Sequence, residues 1–401
     1  MKTLLLTDIP PSSNLTAGIV TAQMCRFVPP GELAIFCVQN FFLKPKLYDD
    51  LAAVPMRVVW KPGEQSRRRI ARIPIGRPGA AAIETGKRML RIPKLIAEAV
   101  QFGREQGVTS IWAILQGQTM VRMARKVAQG LDVPFRVQIW DPLSWWLRAH
   151  GVDPVNRMLD EGLFDKTMRD AVSCAAASWP MARYYTERYG TPGEAIIASL
   201  DASLARRPPP RLRMAGQLSI GMAGQFYASE EWTNLVRALN YAKWQVAGRN
   251  VVLRVMGHDV PQSDVPKDHL NFLGWQPQDK LVALLSERCD LMYCPYPYAP
   301  NMASVAKMSF PSKIPTYLAA GRPIVFHGPA YAGPASYLQE RNAGYVARGL
   351  DPDAIYDALL NLAEDAELYE RLATGAQAAF MADFTLDRMR VGVRRFLGYP
   401  D

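Results

Sequence analysis

The chain has 401 residues, 49% of them apolar, and a formal net charge of +10; that is enough apolar surface for two sizeable cores. No run of about 18 apolar residues occurs, so no segment is suited to span a bilayer as a helix. Five cysteines (Cys25, Cys37, Cys174, Cys289, Cys294) without a CxxC pair, and four scattered histidines, suggest neither a disulfide framework nor a zinc site.

In chain order, the N-terminus Met1–Leu6 reads as a first buried strand, at Thr3–Leu6, and not as a signal peptide, because one lysine and a very short apolar run precede Asp8 and Pro10. A cytoplasmic protein is expected. Further strands are predicted at Leu33–Val38, Arg57–Trp60, Ser110–Leu115, Arg136–Trp140, Ala171–Ala177 and Ala195–Ser199, alternating with helical stretches. Between Arg57 and Arg104 there are twelve Lys or Arg against Glu64, Glu84 and Glu98 and no Asp, so nearly all the positive excess lies there. Within this segment, Lys87–Ile96 mixes cations with Met89, Leu90, Ile92, Leu95 and Ile96, a pattern suited to an anionic membrane surface. A solvated basic face is the plainer reading. Nucleic acid is not expected, since no basic run is interleaved with stacking aromatics.

The stretch Trp140–Arg148 (WDPLSWWLR) follows a predicted strand at its carboxyl end. Asp141 there could orient a hydroxyl, although Asp before Pro is equally a turn former. Trp145 or Trp146 could stack on a sugar face, although tryptophans more often fill cores. Arg148 could meet a phosphate. The proline-rich joint Arg206–Arg213 then interrupts the pattern, which resumes with strands at Leu218–Ala223, Val251–Met256, Leu270–Phe272, Leu291–Cys294 and Pro323–His327. The alternation predicts an α/β chain of two doubly wound Rossmann-like domains, 1–200 and 217–385, joined by a linker at 201–216, with a last segment, 386–401, whose helical stretch, about Leu386–Leu397, crosses back to the first domain. Ligands of such sheets bind beyond the carboxyl ends of the strands, so two facing sheets would enclose a central cleft.

Phe310–Pro323 (FPSKIPTYLAAGRP) carries the sharpest signal. Ser312 is expected to N-cap a short helix, roughly Lys313–Ala320, with Pro315 in its first turn and Gly321 as its stop. The amide groups of Lys313, Ile314 and Thr316 and the Lys313 ammonium would then face an anion. An ordinary capped helix with a solvated lysine explains the same residues.

The order of landmarks resembles a GT-B glycosyltransferase, in particular the retaining family 4 and its relatives. Ile220–Phe226 (IGMAGQF) is similar to the family's first strand and glycine turn of the second domain, and Val252–His258 (VLRVMGH) to the next strand and loop. His269–Trp275 (HLNFLGW) resembles the segment beside the nucleobase, Cys289–Tyr296 the following strand, and Phe310–Val325 the donor-site helix. Phe164–Gly190 looks like the elements that precede the interdomain link. The resemblance implies cleavage of a sugar–diphosphate bond, with negative charge building on the departing diphosphate. It implies a nucleotide-sugar donor held by Gly18, Gly224, Gln225, His258, Trp275, Ser312, Lys313 and Thr316. A glycan or lipid-linked acceptor would be held by Trp145, Trp146 and Arg148, and catalysis would rest on Asp141 and Lys313. The nucleotide sugar is a co-substrate, so no cofactor is implied. No metal is implied either: the single DxD, Asp351-Pro352-Asp353, begins an apparent helix and reads as a cap.

The sequence departs from the family pattern at the donor site. Where the family commonly has Arg after the glycine and Lys a few residues on, this chain has Gln225 and no lysine in the stretch that follows. Positive charge is then expected from Lys313, with Lys307 second. Met308 and Thr316 stand where the family carries two glutamates. These departures also motivate the alternative of a catalytically inactive binding or scaffold homologue.

Overall fold

The computed structural model describes residues 1–64, 76–208, 216–260 and 264–400. Arg67, Arg68 and Arg69 of the basic segment, and most of the proline-rich joint, lie outside them. The chain divides into two units, one of Met1–Ile196 with Arg390–Asp401 and one of Ile197–Met389. Each is a doubly wound α/β body with its own sheet, parallel throughout in the first unit and parallel but for one short antiparallel edge piece in the second.

In the first unit, β1 (Thr3–Thr7) and β2 (Leu33–Gln39) are buried at every residue, as near-continuous apolar runs must be when helices cover both sheet faces. Helix α1 (Thr16–Cys25) joins them. Strand β3 (Met56–Trp60) is the edge, and α2 (Gly76–Glu105) returns from it to β4 (Ser110–Ile114). Helix α3 (Gly117–Leu131), β5 (Phe135–Ile139), α4 (Leu143–Ala149), α5 (Pro154–Asp170), β6 (Cys174–Ala176), α6 (Trp179–Tyr189) and β7 (Gly193–Ala195) complete it. The strand order β3-β2-β1-β4-β5-β6-β7 reverses between β1 and β4, which makes the carboxyl ends of those two strands the switch point of this sheet.

The second unit runs through β8 (Gln217–Ala223), α7 (Ser229–Tyr241), β9 (Gln245–Val246), β10 (Arg249–Met256), β11 (Leu270–Phe272) and α8 (Gln278–Arg288). It continues with β12 (Leu291–Pro295), α9 (Ala303–Met308), α10 (Lys313–Ala319), β13 (Ile324–His327), α11 (Gly333–Glu340), β14 (Gly344–Ala347), α12 (Pro352–Glu364) and α13 (Ala366–Asp383). Its sheet, β11-β10-β8-β12-β13-β14, switches between β8 and β12. Leu218, Ile220 and Met222 of β8 pack with Trp232, Leu235 and Leu239 of α7 and Val251, Leu253 and Val255 of β10 to form the core of this unit.

The last helix, α14 (Leu386–Leu397), passes from the second unit into the first. Its Phe396 meets Trp112 edge-on, and beyond the helix the Tyr399 hydroxyl meets Thr3 Oγ1 at 3.0 Å. The strand expected at Ala195–Ser199 is instead the short β7 beginning at Gly193, where a side chain would strike the Ala182 carbonyl of α6. Ile196 and Ile197 are buried without extending it.

Candidate functional site

At the carboxyl end of the second unit's sheet, three glycine turns and the start of α10 come together. Gly224 follows β8 with φ +84°, a left-handed conformation that suits glycine. Its amide donates to the Met256 carbonyl at 2.9 Å, and the Gly257 amide donates to Gly274 at 3.1 Å, tying the turns after β8, β10 and β11 into one rim. The Lys313 ammonium enters this rim. It donates to the Gln225 carbonyl at 3.0 Å and lies 5.4 Å from the centroid of the Tyr227 ring, and its Cε is 3.7 Å from where a Gly224 Cβ would stand. Burial pushes its pKa below that of a free lysine, against a smaller opposing effect of Cys294. Below it, the buried Tyr317 hydroxyl accepts from the Ala223 amide at 2.7 Å, fixing α10 against the end of β8.

Gly224, Gln225, Ser312 and Lys313 are thus brought together at the switch point. His258 and Trp275 stand on the neighbouring turns, their exposed rings nearly parallel at 19° with centroids 6.4 Å apart. Thr316 faces another way: it is buried, and its hydroxyl accepts from Gln278 Nε2 at 2.8 Å. Two expectations about α10 need correction. Ser312 is exposed, has helical φ and ψ and makes no side-chain cap, and the Ile314 amide is bound to Pro311 O at 3.0 Å rather than open to a ligand. The positive charge at this place therefore comes from the ammonium more than from the helix end. Asp351 caps α12, accepting from the Asp353 amide at 3.0 Å, as the sequence implied.

In the first unit the picture differs more from expectation. Gly18 is buried inside α1, and the space a side chain would fill is occupied by Ser12 and the Pro10 carbonyl of the preceding loop, so no ligand can approach its backbone there. Asp141 and Trp145 are half-buried after β5, and Arg148 is exposed, its Nε donating to Ser144 O at 3.0 Å. Trp146 is no open platform: it is buried, one face is stacked on His150 at 3.8 Å, and its edge closes on Gly117.

The switch point of this sheet holds a charge cluster that the sequence reading did not single out. Lys61, directly after β3, places its buried ammonium 3.1 Å from Asp8 Oδ2, directly after β1, and 3.1 Å from Glu64 Oε2. The other Glu64 oxygen accepts from the Thr119 amide at 2.8 Å in the first turn of α3, in room left by Gly117. Burial works against the Lys61 charge, yet the Glu64 and Asp8 carboxylates hold its pKa above the ordinary lysine value. Desolvation raises the Asp8 carboxyl. The only sequence signal was that Asp8 and Lys61 each end an apolar strand. Arg88 is likewise internal, donating to Gln118 Oε1 at 2.8 Å, so neither Lys61 nor Arg88 belongs to the surface charge.

Residues 212–365 match the family model described as glycosyl transferases group 1. No curated protein matches the chain. Among solved structures the chain is similar to HepE of Anabaena in complex with UDP, at 15% identity and TM-score 0.66, with 99% of this chain and 100% of that one covered. It is similar to sucrose-phosphate synthase of Thermosynechococcus elongatus at 13% identity and TM-score 0.67, with 98% of each covered. The α,α-trehalose 6-phosphate synthase of Burkholderia multivorans follows at 12% and 0.63, with 99% and 98% covered. The chain has the GT-B fold, and residues 212–365, most of its second unit, are similar to the glycosyl transferases group 1 family.

Proposed function

We propose that the protein is a glycosyltransferase that moves a sugar from a nucleotide-sugar donor onto a glycan or lipid-linked glycan, in the making of a surface polysaccharide at the inner membrane face. The observation that carries this reading is the Lys313 ammonium set against the Gly224 turn at the switch point of a group 1 domain. As the bond from the anomeric carbon to the diphosphate oxygen breaks, its electron pair goes to the diphosphate. Lys313 stabilises that charge in a partly desolvated place where it counts for more than in water. The acceptor oxygen bonds to the anomeric carbon, and its proton passes to the leaving phosphate. Configuration is retained, and with Lys313 supplying the charge no metal is required.

HepE has been solved with UDP, with UDP and glucose, and with UDP-glucose, so uridine donors are the first to try. His258 and Trp275 offer exposed, nearly parallel rings on the neighbouring turns for a base. A second reading, an inactive homologue, is favoured by Thr316, whose hydroxyl is engaged with Gln278 rather than open. Incubation with a panel of nucleotide sugars in the presence of a chelator separates the two. Slow donor hydrolysis with at least one donor is expected of the enzyme, and none with any donor would leave the inactive homologue.

A further inference from the structure

In α2, Ile92 and Leu95 are buried in the core and Arg88 is internal, so the stretch Lys87–Ile96 presents no continuous apolar face of the kind its sequence suggested. The β7 edge of the same unit's sheet holds a polar groove instead. It is an open cavity of about 530 Å³, lined by Trp179, Arg183, Thr186 and Glu187 of α6 and by β7 itself.

Two local features make this groove. Gly193 lets α6 lie close on β7, because a side chain there would strike Thr186 Oγ1 and the Ala182 carbonyl. Strand β7 is also the last of its sheet, with only β6 beside it. The Cys174 amide donates to Pro192 O and the Ile196 amide to Ala176 O, both at 2.8 Å, so Pro192 and Ile196 turn their backbone groups toward β6. By the two-residue repeat of a strand, the amide and carbonyl groups of Gly193 and Ala195 face the open edge.

The charges around the groove balance. Arg183 and Glu187 are exposed one turn apart on α6, and Glu194 meets Arg395 of α14 at 3.4 Å. Two cations against two carboxylates favour neither an anion nor a cation. An indole, outward backbone donors and acceptors, and side chains of both hydrogen-bonding senses match a ligand with many hydroxyls and a flat apolar face, which is a sugar. A peptide strand is a poorer match, since β7 has only three residues with which to pair it. The volume lies in the range of small-molecule sites, ~300–1,000 Å³. Asp141 follows β5 and Trp179 follows β6, the neighbouring strand, both past the carboxyl ends, and from Trp179 the groove runs along α6 toward Glu187.

We propose that this groove binds the uncharged sugars of a glycan chain, stacked on Trp179 and hydrogen-bonded by Arg183, Glu187 and the β7 edge. Its purpose rests on the glycan acceptor proposed above: sugars already in the chain would lie along α6 while the end to be extended reaches the carboxyl ends of β5 and β6. The binding itself can be measured without it.

The test is titration of the full chain with neutral gluco-, manno-, galacto- and rhamno-oligosaccharides, each compared with its monosaccharide, by saturation-transfer NMR. At least one oligosaccharide is expected to bind more tightly than its monosaccharide. Trp179→Ala, and separately Arg183→Ala with Glu187→Ala on the exposed face of α6, should each raise its Kd by about tenfold or more, while Trp179→Phe keeps most of the affinity and donor hydrolysis and circular dichroism stay unchanged. No neutral oligosaccharide bound, or binding that neither variant weakens, would overturn the proposal. So would self-association in sedimentation velocity that Ala195→Pro abolishes, since the edge would then pair with a strand of a second copy. Donor hydrolysis without oligosaccharide binding would remove the groove and leave the enzyme, and oligosaccharide binding without hydrolysis would leave the groove and remove the enzymatic reading.

Discussion

The Lys313 ammonium lies 5.4 Å from the centre of the Tyr227 ring while donating to the Gln225 carbonyl at 3.0 Å. A cation held by one carbonyl and one ring face is ordered yet under-coordinated, with donor capacity left for an anion. Lys313→Ala is expected to lower turnover by ~10²-fold or more, measured as nucleoside diphosphate release. Unchanged rates would place the anion site elsewhere.

Because burial lowers the Lys313 pKa, the fraction carrying charge falls at a lower pH than for a free lysine. The rate should therefore show a basic limb below the ordinary lysine value of 10.5, and Lys313→Arg should move that limb upward. The stability sign follows from the same shift. Between the folded and unfolded pKa values the unfolded chain binds more protons, so stability rises with pH through that window, and at neutral pH the charge costs stability. Lys313→Met is thus expected to raise the melting temperature while removing activity; a lower melting temperature would count against the desolvation argument.

Tyr227 is expected to act on the proposed reaction through Lys313, whose ammonium lies 5.4 Å from its ring. Tyr227→Phe keeps the ring face and should retain most activity, whereas Tyr227→Leu should lower kcat by about tenfold and shift the basic limb, since the ammonium loses about 1 kcal/mol of cation–π attraction. Equal losses in the two variants would point instead to the hydroxyl.

Lys61 sits between two carboxylates with its side chain almost wholly buried. Lys61→Met would leave Asp8 and Glu64 uncompensated at the switch point, and ~3–5 kcal/mol of stability should be lost in urea unfolding at neutral pH. On acidification the deficit should shrink, because protonating Asp8, whose carboxyl pKa is raised by burial, removes stranded charge. A loss that did not vary with pH would assign it to packing.

The sequence was most legible where a physical pattern is local. The run Leu270–Phe272 and the helix Leu386–Leu397 emerge with the boundaries read from periodicity, and β1, β2 and β8 lie within a residue of theirs because buried parallel strands are continuous apolar runs. Strand β14 was missed: it opens on Gly344, required by close approach to the Ile324 carbonyl, and its Tyr345 and Val346 are only half-buried. Gly224 and Lys313 were foreseeable from a strand-end glycine and a Ser-Lys pair. The Lys61 cluster was not, because its members come together only when β1, β3 and α3 are in place, over sequence separations that no local pattern spans. Trp146 illustrates the converse, an aromatic at a strand end whose faces are used up by His150 and Gly117 once the turn folds.

The most direct test of the central claim is a crystal structure with a nucleoside diphosphate bound. The account predicts terminal phosphate oxygens within hydrogen-bonding distance of Lys313 Nζ, beside the Gly224 turn, with the ammonium turned from the Gln225 carbonyl toward the ligand. A diphosphate seated away from Lys313, with that ammonium still donating to Gln225, would contradict it.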